Sequence, residues 1–160
     1  MAESAEKPKI SAMEKAMRLL SRRALTEREL RTKLGAAGYA YPEIRDTVAE
    51  CRRRGFVNDE QFAADYAEIL ASRGLGGRRI RLALRQRGIP QPLQEQPLES
   101  AAESEAQRAR EALEYKLRLL ARETDPRKKR EKAFRFLLSR GFSCDNCRAA
   151  IDEIDFNNNN

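Results

Sequence analysis

Three features predict an all-α fold, arranged as an elongated tandem array of three three-helix modules. An apolar pair four residues apart runs into a glycine and another apolar residue three times over. The three instances are Leu30 and Leu34 before Gly38-Tyr39, Ile80 and Leu84 before Gly88-Ile89, and Ala133 and Leu137 before Gly141-Phe142. A helix closed by a left-handed glycine reads this way, its next apolar residue folding back over the last turn. The glycines lie 50 and 53 residues apart, a period that belongs to tandem helical units. Strand-like alternation is absent, and Val and Ile are scarce.

The elements follow in order. Met13, Met17 and Leu20 have helical spacing, and Ser11 with Glu14 has the spacing of a capping box. Thr26 with Glu29 repeats that spacing ahead of the Leu30–Leu34 helix, which ends at Gly38. Tyr41-Pro42 can open the next helix, with Ile44, Val48 and Cys51 on its inner face. Asn58 with Gln61 precedes Phe62, Tyr66, Ile69 and Leu70. The Ile80–Leu84 helix ends at Gly88, and Gln94, Leu98 and Ala101 keep the phase of Ile44, Val48 and Cys51 relative to their glycine. Pro90, Pro92 and Pro97 crowd that stretch, so a short, late or irregular helix is expected there. Leu113, Leu117 and Leu120 mark the next helix. Asp125-Pro126 sets a capping side chain before a proline at the first helical position, and Ser143 starts a last helix with Cys147, Ile151 and Ile154 inward.

These readings divide the chain into modules at 10–57, 58–104 and 105–156, with disordered ends at 1–9 and 157–160. Three triplets in series predict an open body. A compact chain of this length has a radius of gyration of about 15 Å; small-angle scattering should give a clearly larger value.

Several kinds of chemistry are excluded. With no histidine among 160 residues, no His-dependent nucleophilic triad can form. Cys144-Asp145-Asn146-Cys147 has the spacing of a zinc or redox half-site, but only Cys51 remains to complete it, and a closed zinc site takes four ligands. These cysteines are read as structural thiols. Gly74-Leu75-Gly76-Gly77 lacks the continuation of a phosphate loop. No catalytic residue, cofactor or metal is expected, and the chain is read as a non-enzyme. No apolar run approaches bilayer length, and the polar start lacks a signal-peptide core. A cytoplasmic monomer is expected.

The positive charge is more telling. The net charge is +7, from 32 basic and 25 acidic residues, and residues 72–89 carry six arginines and no acid. With Ile80 and Leu84 inward, Arg78, Arg81 and Arg85 fall along one side of their helix. Arg28 and Arg31 hold the same offsets from Gly38 that Arg78 and Arg81 hold from Gly88. In the third module Lys128, Lys132 and Arg135 share a differently rotated face. Such surfaces suit a polyanion, either nucleic acid or an acidic protein groove. Few aromatics are placed to stack bases.

Ala24-Leu-Thr-Glu-Arg-Glu-Leu-Arg-Thr-Lys-Leu34 with Gly38-Tyr39 resembles the opening of the RecX family, bacterial regulators of the RecA recombinase. Gly55-Phe-Val-Asn-Asp-Glu-Gln-Phe-Ala63, with Arg73-Gly-Leu-Gly-Gly-Arg-Arg-Ile80, is similar to that family's central module. Lys129-Arg-Glu-Lys-Ala-Phe-Arg-Phe-Leu-Leu-Ser-Arg-Gly-Phe142 resembles its C-terminal module. The resemblance spans residues 12–156. It implies a protein that binds the RecA–DNA filament, blocks its growth or promotes its disassembly, and so inhibits recombinase, ATPase and co-protease activities. Single- and double-stranded DNA would be weaker partners. The candidate contacts to RecA or DNA, taken from the charge pattern, are Arg28, Arg31, Arg73, Arg78, Arg79, Arg81, Arg85, Lys128, Lys132 and Arg135; Arg78, Arg79 and Arg81 lie in the basic central segment of the family it resembles and lead the set. The alternative is a general DNA-binding helical protein or transcription regulator that acts without RecA.

Overall fold

The computed structural model describes residues 9–154. The terminal segments read as disordered lie outside the described residues, except for Lys9. The described residues form helices only: α1 (Ala12–Leu20), α2 (Glu27–Ala36), α3 (Tyr41–Arg53), α4 (Asp59–Ser72), α5 (Gly77–Gln86), α6 (Gln91–Glu103), α7 (Glu105–Leu119), α8 (Pro126–Ser139) and α9 (Cys144–Asp152).

Helix starts follow the capping chemistry. Ser11 Oγ accepts the Glu14 N–H at 3.1 Å, Asn58 Oδ1 the Gln61 N–H at 3.0 Å, and Ser143 Oγ the Asn146 N–H at 3.2 Å. Thr26 and Glu29 form a reciprocal box. Thr26 Oγ1 accepts the Glu29 N–H at 3.2 Å, and the Glu29 carboxylate accepts the Thr26 N–H at 3.1 Å. Asp125 caps α8 by accepting the Arg127 N–H at 2.9 Å. At the other ends, Gly38 (φ 87°) and Gly141 (φ 89°) turn left-handed. Tyr39 and Phe142 then donate their N–H groups back to Leu34 and Leu137, each at 3.3 Å. Both side chains are buried, the fold-back that the glycine pattern predicts.

The stretch after Gly88 corrects the expectation of a short or irregular helix. α6 runs for 13 residues from Gln91 with Pro97 inside it. Pro92 falls in the first turn, where the missing amide costs nothing, and Pro97 forfeits one intrahelical bond. Gln94 and Ala101 are buried and Leu98 is half-buried, so the inner face has the phase seen in α3 and α9. Burial of that face carries the helix through the proline.

The described residues fall into two compact units. The first takes residues up to Ala63 together with Arg85–Leu93; the second takes Ala64–Leu84 and residues from Gln94 onward. The helices of the middle triplet are therefore shared between the units. In the first unit Leu30, Leu34, Val48 and Cys51 form a core with no solvent exposure. In the second, Leu113, Leu137, Phe142 and Cys147 do the same.

Each unit also contains the same kind of joint. In the first, Thr26 Oγ1 donates to the Arg87 carbonyl at 2.7 Å and the Arg28 guanidinium to the Gln86 carbonyl at 2.5 Å. The start of α2 is thereby held on the end of α5. In the second, the Gly76 N–H donates to the Arg140 carbonyl at 2.9 Å, and Arg79 Nε to the Ser139 carbonyl at 2.9 Å. The start of α5 is thereby held on the end of α8. The accepting carbonyls stand one and two residues before Gly88 in one case and Gly141 in the other. A helix end has carbonyls without intrahelical partners, and here donors at another helix's start satisfy them.

Glu29 reinforces the first joint through Arg87 Nη1, 2.6 Å away. Burial pushes the Glu29 carboxyl up, but hydrogen bonds from Arg87, the Thr26 amide and Arg23 outweigh it and hold the group below the usual carboxylate value. A depressed folded value means stabilisation that is present at neutral pH and lost as pH falls through that value. Glu29→Gln is thus expected to cost about 1 kcal/mol at neutral pH. In denaturant titrations, its difference from wild type should vanish in strong acid.

Candidate protein and nucleic-acid interface

The cations singled out in the sequence are all exposed, yet their surroundings divide them into three groups. Arg28 and Arg79 are occupied at the joints, where each donates to a carbonyl. Arg31 is paired with Glu27 at 3.0 Å, Lys132 with Glu123 at 2.5 Å, and Arg135 with Glu131. Arg73, Arg78, Arg81, Arg85 and Lys128 have no ion-pair partner among the described residues. Four of these five come from the acid-free stretch.

Local helix structure explains the division. Most helices begin with an acid in the first turn, as Glu27 and Glu29 do in α2. α5 has none, and Arg78 and Arg79 occupy its opening turn. A cation there meets the positive end of the helix dipole. Arg79 gains a carbonyl in return, whereas the Arg78 side chain gains no acid. Ile80 and Leu84 are fully buried and fix which side of α5 faces inward. The chain thus holds several guanidinium groups exposed and uncompensated, the form best suited to bidentate contact with phosphate or carboxylate.

The other arginine block is neutralised locally. Arg53 and Arg54 both bind Glu50, at 2.6 and 2.5 Å, and their hydrogen bonds pull its carboxyl down to about 2. Arg52 lies 3.6 Å from Glu27. As for the cysteines, Cys51 and Cys147 are buried and Cys144 is exposed. Burial pushes the Cys147 thiol up to about 11, which keeps it protonated and unreactive at neutral pH.

Arg108 escaped the sequence reading. It is only 8% exposed, and its guanidinium reaches the carbonyls of Ala101 at 2.8 Å and Leu75 at 3.3 Å and the Ser104 hydroxyl at 2.7 Å. The available signal was its phase. Arg108 stands beside Ala109, and Ala112 and Leu113 follow at helical spacing, so a charge lies on the inner side of α7. Among the described residues no helix is long and apolar enough to cross a membrane.

Family models of the first, second and third three-helix domains of RecX match residues 12–51, 58–98 and 103–151 in turn. A protein of Pasteurella multocida named "Regulatory protein RecX" is 37% identical over 125 residues, covering 78% of this chain and 76% of that protein. One of the same name from Chromohalobacter salexigens is 35% identical over 136 residues, covering 85% and 88%. The crystal structure of RecX from Lactobacillus salivarius superposes with a TM-score of 0.81 over 89% of this chain and 93% of that one, at 22% identity.

Proposed function

Because the chain belongs to the RecX family, we propose that it is a negative regulator of the RecA recombinase. Its relatives carry the name of a regulatory protein, and a regulatory role of the RecX type follows from that kinship. The finer reading is that the protein binds the RecA–DNA filament through basic helical surfaces. There it blocks filament growth or promotes disassembly, without chemistry of its own.

The observation that carries this reading is a run of three successive domain matches whose central member bears the unpaired arginines of α5. We assign the contacts first to Arg73, Arg78, Arg81 and Arg85, with Lys128 as a further candidate. Arg31, Lys132 and Arg135 would have to release a carboxylate first, and Arg28 and Arg79 a carbonyl. The working divisions remain modules at 10–57, 58–104 and 105–156. Arg on exposed helices gives affinity for a polyanion without reading bases, which suits a filament coating DNA of any sequence.

The test is the DNA-dependent ATPase of the host's own RecA on single-stranded DNA. Purified protein should slow hydrolysis and strand exchange at substoichiometric amounts. Activity unchanged up to several-fold excess would remove this reading and leave the DNA-binding alternative.

A further inference from the structure

The motif Cys144-Asp145-Asn146-Cys147 takes a specific form at the start of α9. Cys144 is the first residue of that helix and is exposed, whereas Cys147, about one turn on, has no solvent exposure. Residues three apart in a helix have Cα atoms about 5 Å apart, inside the range that a disulfide spans. Their Cβ atoms stand roughly 5–6 Å apart, more than the about 3.8 Å of a disulfide, so closure requires the turn to tighten. The first turn of a helix yields most easily, because its leading amides have no intrahelical acceptors. This turn also abuts the joint that holds α5. Cys147 Sγ donates to the Phe142 carbonyl at 3.8 Å, and the Gly141 carbonyl just before it accepts the Arg78 N–H at 3.0 Å. The Ser143 N–H donates to the buried Glu105 carboxylate at 2.9 Å. Cys51, the third thiol, is enclosed in the core of the first unit, its sulfur 3.9 Å from that of Met13.

We infer that Cys144 and Cys147 form a peroxide-oxidisable dithiol, and that their disulfide loosens the hold of α8 on the start of α5. Exposure selects Cys144 as the thiol that meets the oxidant. Its sulfur attacks one oxygen of hydrogen peroxide, the O–O bond breaks, and the thiol proton leaves with the other oxygen as water. Cys144 is then a sulfenic acid. The Cys147 sulfur attacks the Cys144 sulfur, the S–O bond breaks, and the departing hydroxide takes the Cys147 proton as a second water. Two thiols and one peroxide thus give one disulfide and two waters. Burial holds the proton on Cys147, so this thiol closes the reaction and does not start it. Turning toward Cys144 takes it out of that burial. The same turn removes its bond to the Phe142 carbonyl and leaves a space in the core that it shares with Phe142. The segment 141–143, which carries the carbonyl that anchors Arg78, loses that support. Reduction by a dithiol reverses the change.

The test uses the full chain without RecA, so its outcome is independent of the filament reading. Tryptic cleavage after Arg140 and Arg148 releases both cysteines in one peptide, residues 141–148. After hydrogen peroxide in modest excess, that peptide should lack two hydrogens until dithiothreitol restores them, and Cys51 should stay reduced. With dimedone present during oxidation, the wild type should carry roughly tenfold less adduct on Cys144 than Cys147→Ala, where no second thiol consumes the sulfenic acid. Cys144→Ser changes an exposed position, keeps the fold, and should leave Cys147 unoxidised. In hydrogen exchange, the Gly76 and Arg78 amides of the disulfide form should exchange roughly tenfold faster than those of the reduced protein, with Leu34 in the first unit unchanged. Equal dimedone adduct in wild type and Cys147→Ala, disulfide-linked dimers as the main product, or oxidation of Cys147 in Cys144→Ser would overturn the dithiol. Unchanged exchange at Gly76 and Arg78 would overturn its link to α5.

Discussion

Gly76→Ala is expected to be among the most damaging single substitutions in the second unit, lowering its stability by about 3 kcal/mol or more. Gly76 has an ordinary backbone conformation, so the effect is one of contact alone. A Cβ built there would stand against the Gly141 carbonyl carbon and oxygen and the Phe142 nitrogen, closer than real Cβ atoms come to any neighbour. All three are backbone atoms and cannot swing aside. The joint must open, and with it go the bonds from the Gly76 and Arg78 amides and from Arg79 Nε to the end of α8. Each such bond contributes about 1 kcal/mol.

Gly88→Ala is the informative comparison. A Cβ there meets the Arg28 side chain, much of which can move, although φ at Gly88 is positive and adds about 1 kcal/mol of strain. Urea unfolding followed by circular dichroism should therefore rank Gly76→Ala as the more destabilising. The reverse order, or a loss below about 1 kcal/mol at Gly76, would mean that the joint yields easily and is not a fixed part of the fold.

How much of this was legible beforehand depends on whether the interaction is local. The helices were, because caps and glycine closures lie within a few residues of what they satisfy. Thr26 with Glu29 and Leu34 with Gly38-Tyr39 each announce themselves in sequence. The fold-level resemblance rests on the same features. The joints were not legible, because Thr26 as a cap looks the same whether or not its hydroxyl also reaches the Arg87 carbonyl 61 residues away.

The arginines show the limit sharply. Arg28 and Arg78 stand at the same offset from their glycines, which suggested one shared surface. In the structure the counterpart of Arg28 is Arg79, one residue later, since that is the guanidinium that reaches the equivalent carbonyl. A shift of one residue turns a helix by about 100°, so Arg28 is engaged where Arg78 is left without an acid. Which cations are free is decided by neighbours distant in the chain.

That freedom sets the last expectation. Replacing Arg78, Arg81 and Arg85 together by alanine should leave the melting temperature unchanged or slightly raised, while at least ten times more protein is needed to half-inhibit RecA's ATPase. Stability is spared because none of the three has an ion pair to lose, and exposed substitutions usually shift it by less than about 0.5 kcal/mol. Alanine is also at least as good a helix former as arginine, and removing Arg78 relieves an unfavourable charge at the start of α5. The Arg78 amide that holds the Gly141 carbonyl, at 3.0 Å, is backbone and survives the change. A tenfold loss corresponds to about 1.4 kcal/mol of binding, a modest demand on three guanidiniums. If they meet phosphates, the salt dependence of binding should also flatten, by about one unit of slope per contact removed. Lys132→Ala with Arg135→Ala is the control, since both cations are already matched by carboxylates, and inhibition there should change little. Wild-type inhibition by the triple variant would return α5 to the status of a solvated face. Equal loss in the control would make bulk positive charge, and not the unpaired arginines, the working feature.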